Sequence, residues 1–214
     1  AINLAYLLAT AHRQRVLLID ADAQANATRT LILDGDYDGL AALLESKVIC
    51  YDEAIEHTEI PNLDMVPASS ELRNIDLGLV TREGTAALRA IRDLRDNVAE
   101  DDAYDVIVID CPPGFTAACV AAILASNSLI IPVLPDAFSA EGMDDLVEQI
   151  DGVRKLQPDI RVAGCLVTQW HNADVVLDAT DYLRTDGPIP VFDTVIRRTD
   201  KVLESTWAKQ PVLM

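Results

Sequence analysis

Apolar and polar positions along this chain follow two alternating periods. Val16–Leu17–Leu18–Ile19 and Val106–Ile107–Val108–Ile109 are unbroken apolar runs of four. Such runs fit strands buried on both faces of a parallel sheet. Leu63–Val66, Leu129–Val133 and Val162–Thr168 read as further strands, and Val191–Phe192 as a brief one. Pro132 argues for a strand end or edge at that point, and Gly164 for close approach of two backbones. Helical spacing fills the intervals. Ala1–Ala9 is strongly apolar, Leu40–Glu45 and Tyr51–Glu56 are short, and a helical stretch starts at Ser69–Ser70–Glu71 with either serine as N-cap. Glu83–Val98 carries Leu88, Ile91 and Leu94 on one side and Arg82, Arg89, Arg92 and Arg95 on the other. Phe115–Ala125, Ser139–Leu156, Ala173–Leu183 and Thr199–Trp207 complete the helices, and Asp34–Gly39 is a turn-rich loop. Strand and helix alternate, with crossovers long enough for right-handed βαβ units. The fold class expected is therefore α/β, a mostly parallel sheet with helices on both faces. No repeat, low-complexity tract or linker interrupts residues 1–214, which read as a single domain.

Both apolar runs end in carboxylates. Asp20 and Asp22 close the first, and Asp110 closes the second, ahead of Cys111–Pro112–Pro113–Gly114. Ligands of open α/β sheets bind outside the carboxyl ends of the strands. If the two strands are neighbours, Asp20, Asp22 and Asp110 converge on one crevice. Three carboxylates repel unless a cation sits among them, and hard oxygen ligands suit Mg²⁺ with a phosphate substrate.

Charge narrows the picture. The 214 residues carry a net charge of −18, with aspartate dominating the acids and lysine only at 47, 155, 201 and 209. Phosphate contacts to DNA need Lys and Arg, so DNA affinity is not expected from overall charge. An acidic, hydrated surface suits solubility at high salt, and a halophilic source is the expectation. Four cysteines without a C-x-x-C pair read as core thiols of a reducing compartment. No apolar run is long enough for a membrane span. A receiver domain is excluded by the spacing from Asp20 to Asp110. A Rossmann oxidoreductase is excluded by the lack of G-x-G-x-x-G, and a serine hydrolase by the lack of G-x-S-x-G.

The strings VLLIDADAQANAT and DVIVIDCPPGFT resemble motifs of the ParA/MinD family of P-loop ATPases, and more closely its ParA (Soj-like) partition branch, which reads roughly VLLIDLDPQGNAT and DYIIIDCPPSLG. AINLAYLLA, NLDMVPAS, FSAEG and QPV follow in the family's order. The resemblance implies a three-layer P-loop NTPase-like fold that binds ATP and Mg²⁺. It places Asp20 near the Mg²⁺ shell, Asp22 in a switch that aligns the attacking water, and Asp110 on Mg²⁺ through water. It makes Pro112, Pro113 and Gly114 a second switch beside the γ-phosphate. Thr168, Gln169 and Pro211 fall near the adenine, and Arg197, Arg198 and Lys201 form a DNA-facing patch.

The resemblance further implies an ATP-sandwich homodimer, non-specific DNA binding, a ParB-like stimulating partner and a cytoplasmic, nucleoid-associated location without membrane attachment. A MinD-like membrane-cycling ATPase and a non-catalytic binding module of the same fold are the alternatives. Three departures stand out. No G-x-x-x-x-G-K-[ST] occurs in the 214 residues, so the chain reads as truncated at both ends and is expected to be inactive as it stands. Ala23 and Ala25 replace a common Pro and Gly, and Ile196–Arg197–Arg198 replaces Ile–Pro–Arg.

Overall fold

A computed structural model describes residues 1–32, 35, 37, 39–45, 50–79, 85–136, 145, 147–152, 154–155 and 157–213. The expected segment Phe138–Gly142, Arg82, half of the Asp34–Gly39 loop (34, 36 and 38) and the first part of the Ser139–Leu156 helix lie outside the described residues. The chain divides into two compact units, Ala1–Ala125 with Lys201–Met214, and Ser126–Asp200.

The first unit is built on β1 (Val16–Asp20), every residue of which is buried. It pairs in parallel with β3 (Leu63–Val66) on one side and β4 (Val106–Asp110) on the other. A two-residue strand, β2 (Glu56–His57), adds to β3 antiparallel, giving the order β2-β3-β1-β4. Side chains alternate across a strand, and the alternation builds two cores. Leu17 and Ile19 face a cluster formed with α3 (Gly39–Leu44), α4 (Leu72–Leu79), α5 (Thr85–Glu100) and α6 (Ala117–Ala125). Val16 and Leu18 face the opposite cluster, with Ala5 and Ala9 of α1 (Ile2–Thr10) and Ala27 and Leu31 of α2 (Asn26–Leu31). Full burial of each such leucine is worth about 1.5–3 kcal/mol. Helices therefore cover both faces of a mostly parallel sheet, as the continuous apolar runs require.

In the second unit β5 (Ser128–Val133), β6 (Arg161–Trp170) and β7 (Val191–Arg197) form a parallel sheet in that order. Pro132 lies in β5, at one side of this sheet, where its missing N–H costs no second ladder. Gly164 has φ 150°, and a Cβ there would meet the Pro190 carbonyl oxygen at 2.8 Å, so only glycine lets β6 pass this close. Helical residues 147–152 (α7) and α8 (Asp174–Thr185) contribute Val147 and Leu183 to its core. The last helix, α9 (Asp200–Ala208), has no buried residue.

The structure differs from the sequence expectation in four places. Tyr51–Ala54 is a single 3₁₀ turn, and Glu56 belongs to β2 rather than to a helix. Helix α2, unexpected from the sequence, follows directly on the Asp20–Asp22 turn. Strand β7 runs on to Arg197. Neither serine caps α4: the Ser69 hydroxyl is buried without a partner among the described residues.

Candidate functional site at the ends of β1 and β4

Parallel pairing in register brings Asp20 opposite Asp110 at the carboxyl ends of adjacent strands. The Ala21 amide donates to the Asp110 carbonyl at 2.8 Å and extends the ladder one step further. The chain then turns. Asp22 Oδ1 accepts the Gln24 amide at 2.9 Å, and the Ala25 amide donates to the Asp22 carbonyl at 2.8 Å. This Asx-type turn delivers the backbone into α2 through Ala25, which holds φ 54° and ψ 40°.

Asp20 is completely buried. Its Oδ2 accepts the Thr28 amide at 2.9 Å and the Thr28 hydroxyl at 2.8 Å, and its Oδ1 accepts the Asp22 amide at 3.2 Å. Thr28 Oγ1 in turn accepts the Ala68 amide at 2.9 Å. A single carboxylate thus ties β1, α2 and the segment after β3 together. Burial pushes the Asp20 carboxyl above its usual range, the hydrogen bonds from Thr28 and Asp22 oppose this, and nearby Asp110 adds to it.

Asp110 is held differently. Among the described residues no hydrogen bond reaches its carboxylate. Burial pushes it up, and the charge of Asp22 adds to this. A buried carboxylate and a half-buried one on neighbouring strand ends, both raised, are what a hard cation relieves. The donor set at Asp110 fits Mg²⁺ held through water. Among the described residues no group of three His, Cys, Asp or Glu side chains could cage a metal ion alone. Remaining ligands would have to be phosphate oxygens and water, as is usual for Mg²⁺.

Beside these acids lies a cavity of about 300 Å³ lined by Asp22, Gln24, Arg73, Pro112, Pro113 and Thr116, among others. Asp22 and the Pro112–Pro113 turn therefore share one hollow. Arg73 is a residue that reading the sequence missed, because α4 reaches the hollow only through tertiary packing. Thr28 was within the recognised string, but its bond to Asp20 had no periodic signal. Gly114 is exposed at φ 107°.

Thr168, Gln169, Arg197 and Arg198 belong to the second unit. In the second unit the Thr168 hydroxyl donates to the Val133 carbonyl at 3.2 Å, and exposed Gln169 has φ 54°. The Arg197 guanidinium stacks over Trp170, 5.5 Å from the ring centroid. The Arg198 amide donates to the Trp170 carbonyl. In the first unit Pro211 is buried, next to the Val212 amide that donates to Asn3 Oδ1 at 2.8 Å. Lys201 lies on α9. The arginines of α5 meet acids: Arg95 binds Asp96 at 2.6 Å, and Arg92 approaches Asp93 at 3.8 Å.

Residues 1–162 match the family AAA_31, described as an AAA domain. The chromosome partitioning protein ParA of Caulobacter vibrioides is 33% identical over 225 aligned residues, covering 100% of this chain and 80% of that protein. The chain belongs to the ParA family. Apo McdA from Cyanothece superposes with a TM-score of 0.84 at 19% identity, over 99% of this chain and 86% of that one. A cobyrinic acid a,c-diamide synthase from Mycobacterium smegmatis, solved with an ATP analogue and magnesium, gives a TM-score of 0.79 at 25% identity, over 93% of this chain and 77% of that one. The fold is that of the P-loop NTPases. As a ParA-family member the chain is of an ATPase family, with parallel sheets flanked by helices. Among the described residues no helix is long and apolar enough to cross a membrane.

Proposed function

We propose that this chain is the ATPase domain of a DNA-segregation protein of the ParA type, with its reaction centre at the ends of β1 and β4. The observation that carries this reading is the pairing of Asp20 with Asp110, with Asp22 turned into the cavity beside them. Bound Mg²⁺ would neutralise the phosphate charge of ATP. Asp110, with a carboxylate free of protein hydrogen bonds among the described residues, holds that cation through water. Asp20 spends its oxygens on Thr28 and the Asp22 amide, so it acts as a positioning residue and meets the cation's shell only through water. Asp22, fixed by the Gln24 amide, orients the attacking water. Pro112, Pro113 and Gly114 form the second switch. Thr168, Gln169 and Pro211 are assigned to adenine, and Arg197, Arg198 and Lys201 to the DNA backbone. An ATP-dependent homodimer and a ParB-like stimulator in the nucleoid complete the reading.

The test is ATP hydrolysis and ATP-dependent dimerisation of the native polypeptide from its source. Asp22→Ala is expected to lower turnover by about 10²-fold or more while ATP binding persists. Asp110→Asn is expected to weaken Mg²⁺-dependent ATP binding. Unchanged turnover in Asp22→Ala would overturn the assignment. The 214 residues contain no G-x-x-x-x-G-K-[ST]. That phosphate cradle supplies several charge-assisted contacts worth about 1.5–3 kcal/mol each. The 214-residue chain alone is therefore expected to hydrolyse ATP no faster than background.

A further inference from the structure

The hollow beside the end of β1 holds two groups of opposite charge that do not meet. Asp22, Arg73 and Thr116 all line its volume of about 300 Å³. Asp22 Oδ1 accepts the Gln24 amide at 2.9 Å, and among the described residues no hydrogen bond reaches Oδ2. Arg73 is exposed, at the second position of α4. Among the described residues its guanidinium has neither an ion pair nor a hydrogen bond. By contrast Arg15, Arg92, Arg95 and Arg154 each meet an aspartate. In a chain with 35 acids and 17 bases, an arginine beside a carboxylate it does not pair with leaves room for something between them. Thr116 Oγ1 accepts the Cys119 amide at 3.1 Å, so its O–H is left to donate.

We propose that this hollow binds inorganic phosphate, with Arg73 donating to its ionised oxygens and Asp22 accepting from its P–OH, and that it receives the phosphate released from ATP.

The lining selects the ion. A guanidinium only donates, and an ionised carboxylate only accepts. A ligand that satisfies both must carry anionic oxygens and a proton at once. Sulfate offers acceptors alone and sets oxygen against the oxygen of Asp22. Inorganic phosphate keeps a P–OH at neutral pH and above. Its bonds to an arginine are charge-assisted and can be bidentate, and a P–OH donating to a carboxylate is of the short, strong kind. A site organised around such a bond rejects the analogue that lacks it. The volume stands at the small end of ligand sites, which run from about 300 to 1,000 Å³. It suits one tetrahedral ion with water.

The source of the ion rests on the function proposed above. In-line attack places the water opposite ADP. Asp22, which orients that water, therefore stands on the side toward which the phosphoryl group moves. The hollow begins at Asp22, so the released ion enters it without passing back across ADP. A single guanidinium in a chain of net charge −18 keeps the hold weak, which leaves the ion free to depart.

The experiment modifies the arginines of the 214-residue chain with phenylglyoxal, without nucleotide and at an ionic strength fixed with KCl. It is run at about pH 8, where a phosphate monoester is fully ionised while inorganic phosphate still holds one proton. Trypsin cuts after Lys47, Arg73 and Arg82, so modification of Arg73 joins fragments 48–73 and 74–82 into 48–82. Inorganic phosphate at about 10 mM is expected to slow the appearance of 48–82 about fivefold, the factor 1 + [L]/Kd for a site of about 2–3 mM. Sulfate and phosphoserine at the same concentration are expected to leave the rate unchanged. In Asp22→Asn the Gln24 amide still holds the remaining oxygen, so an NH₂ donor takes the place of Oδ2. Sulfate is then expected to protect Arg73 as phosphate does. No protection by phosphate, or equal protection by sulfate in the unsubstituted chain, would overturn the proposal. So would sulfate that still fails to protect in Asp22→Asn. No ATP enters the assay, so it separates from the test of turnover. Protection by phosphate in a protein whose native polypeptide hydrolyses no ATP would keep the site and remove its link to hydrolysis. Turnover without protection would remove the site and keep the ATPase reading.

Discussion

Ala25 holds φ 54° and ψ 40° while only 6% exposed. An L side chain in this region costs about 1–2 kcal/mol, and glycine escapes that cost. Ala25→Gly is therefore expected to raise stability by about 1 kcal/mol, read as a higher denaturant midpoint at unchanged slope. Thr28 is the opposite case. Its hydroxyl donates to buried Asp20 and accepts the Ala68 amide. Thr28→Val keeps the shape but removes a bond to a buried carboxylate and orphans an amide. A loss of about 3 kcal/mol is expected by chemical denaturation. A variant within about 0.5 kcal/mol of the parent would mean that water replaces both bonds.

At the scale of elements, the short hairpin of β2 and β3 places His57 opposite Asp64. His57 Nδ1 lies 2.7 Å from Asp64 Oδ1, and the Tyr104 hydroxyl donates to Asp64 Oδ2 at 2.8 Å. Asp64 raises the His57 pKa above its ordinary value, and burial followed by Asp64 raises that of Tyr104. A raised histidine stabilises the folded state fully below its unfolded pKa of about 6.5, and the contribution fades as pH rises through the folded value. The imidazole is exposed, so the energy is small, but the titration is readable. NMR of the His57 ring should show a midpoint above the ordinary histidine value, and Asp64→Asn should bring it down. This hairpin also shows where the sequence stopped being legible. Glu56–His57 has no strand pattern of its own and is extended only because Met65 and Asp64 pair with it. Helix α2 was hidden because it starts from a left-handed alanine with no side-chain cap. By contrast β1 and β4 were plain from their unbroken apolar runs of four, a pattern that needs no partner strand to reveal it. The same held for the site: Asp20, Asp22 and Asp110 stand at strand ends, while Arg73 and Ala68 reach it only through packing of distant segments.

Across the whole molecule, a net charge of −18 sets the balance of self-repulsion. Screening shortens from a Debye length of about 10 Å at 0.1 M salt to about 3 Å at 1 M. The thermal midpoint is expected to rise between those concentrations of KCl, and a flat response would remove the case for adaptation to salt. Positive charge is sparse and much of it is engaged. Arg15 bridges Asp102 and Asp105, with 2.6 Å to Asp105 Oδ1, and Arg197 rests on Trp170. One feature of the layout also sets a timetable. The first unit is not one stretch of chain: Lys201–Met214 belongs with Ala1–Ala125, and the Val212 amide binds Asn3 Oδ1 across 209 positions. A ribosome delivers chain in one direction only. The core around β1 can gather early, but this unit waits for its final segment until all of Ser126–Asp200 has been made.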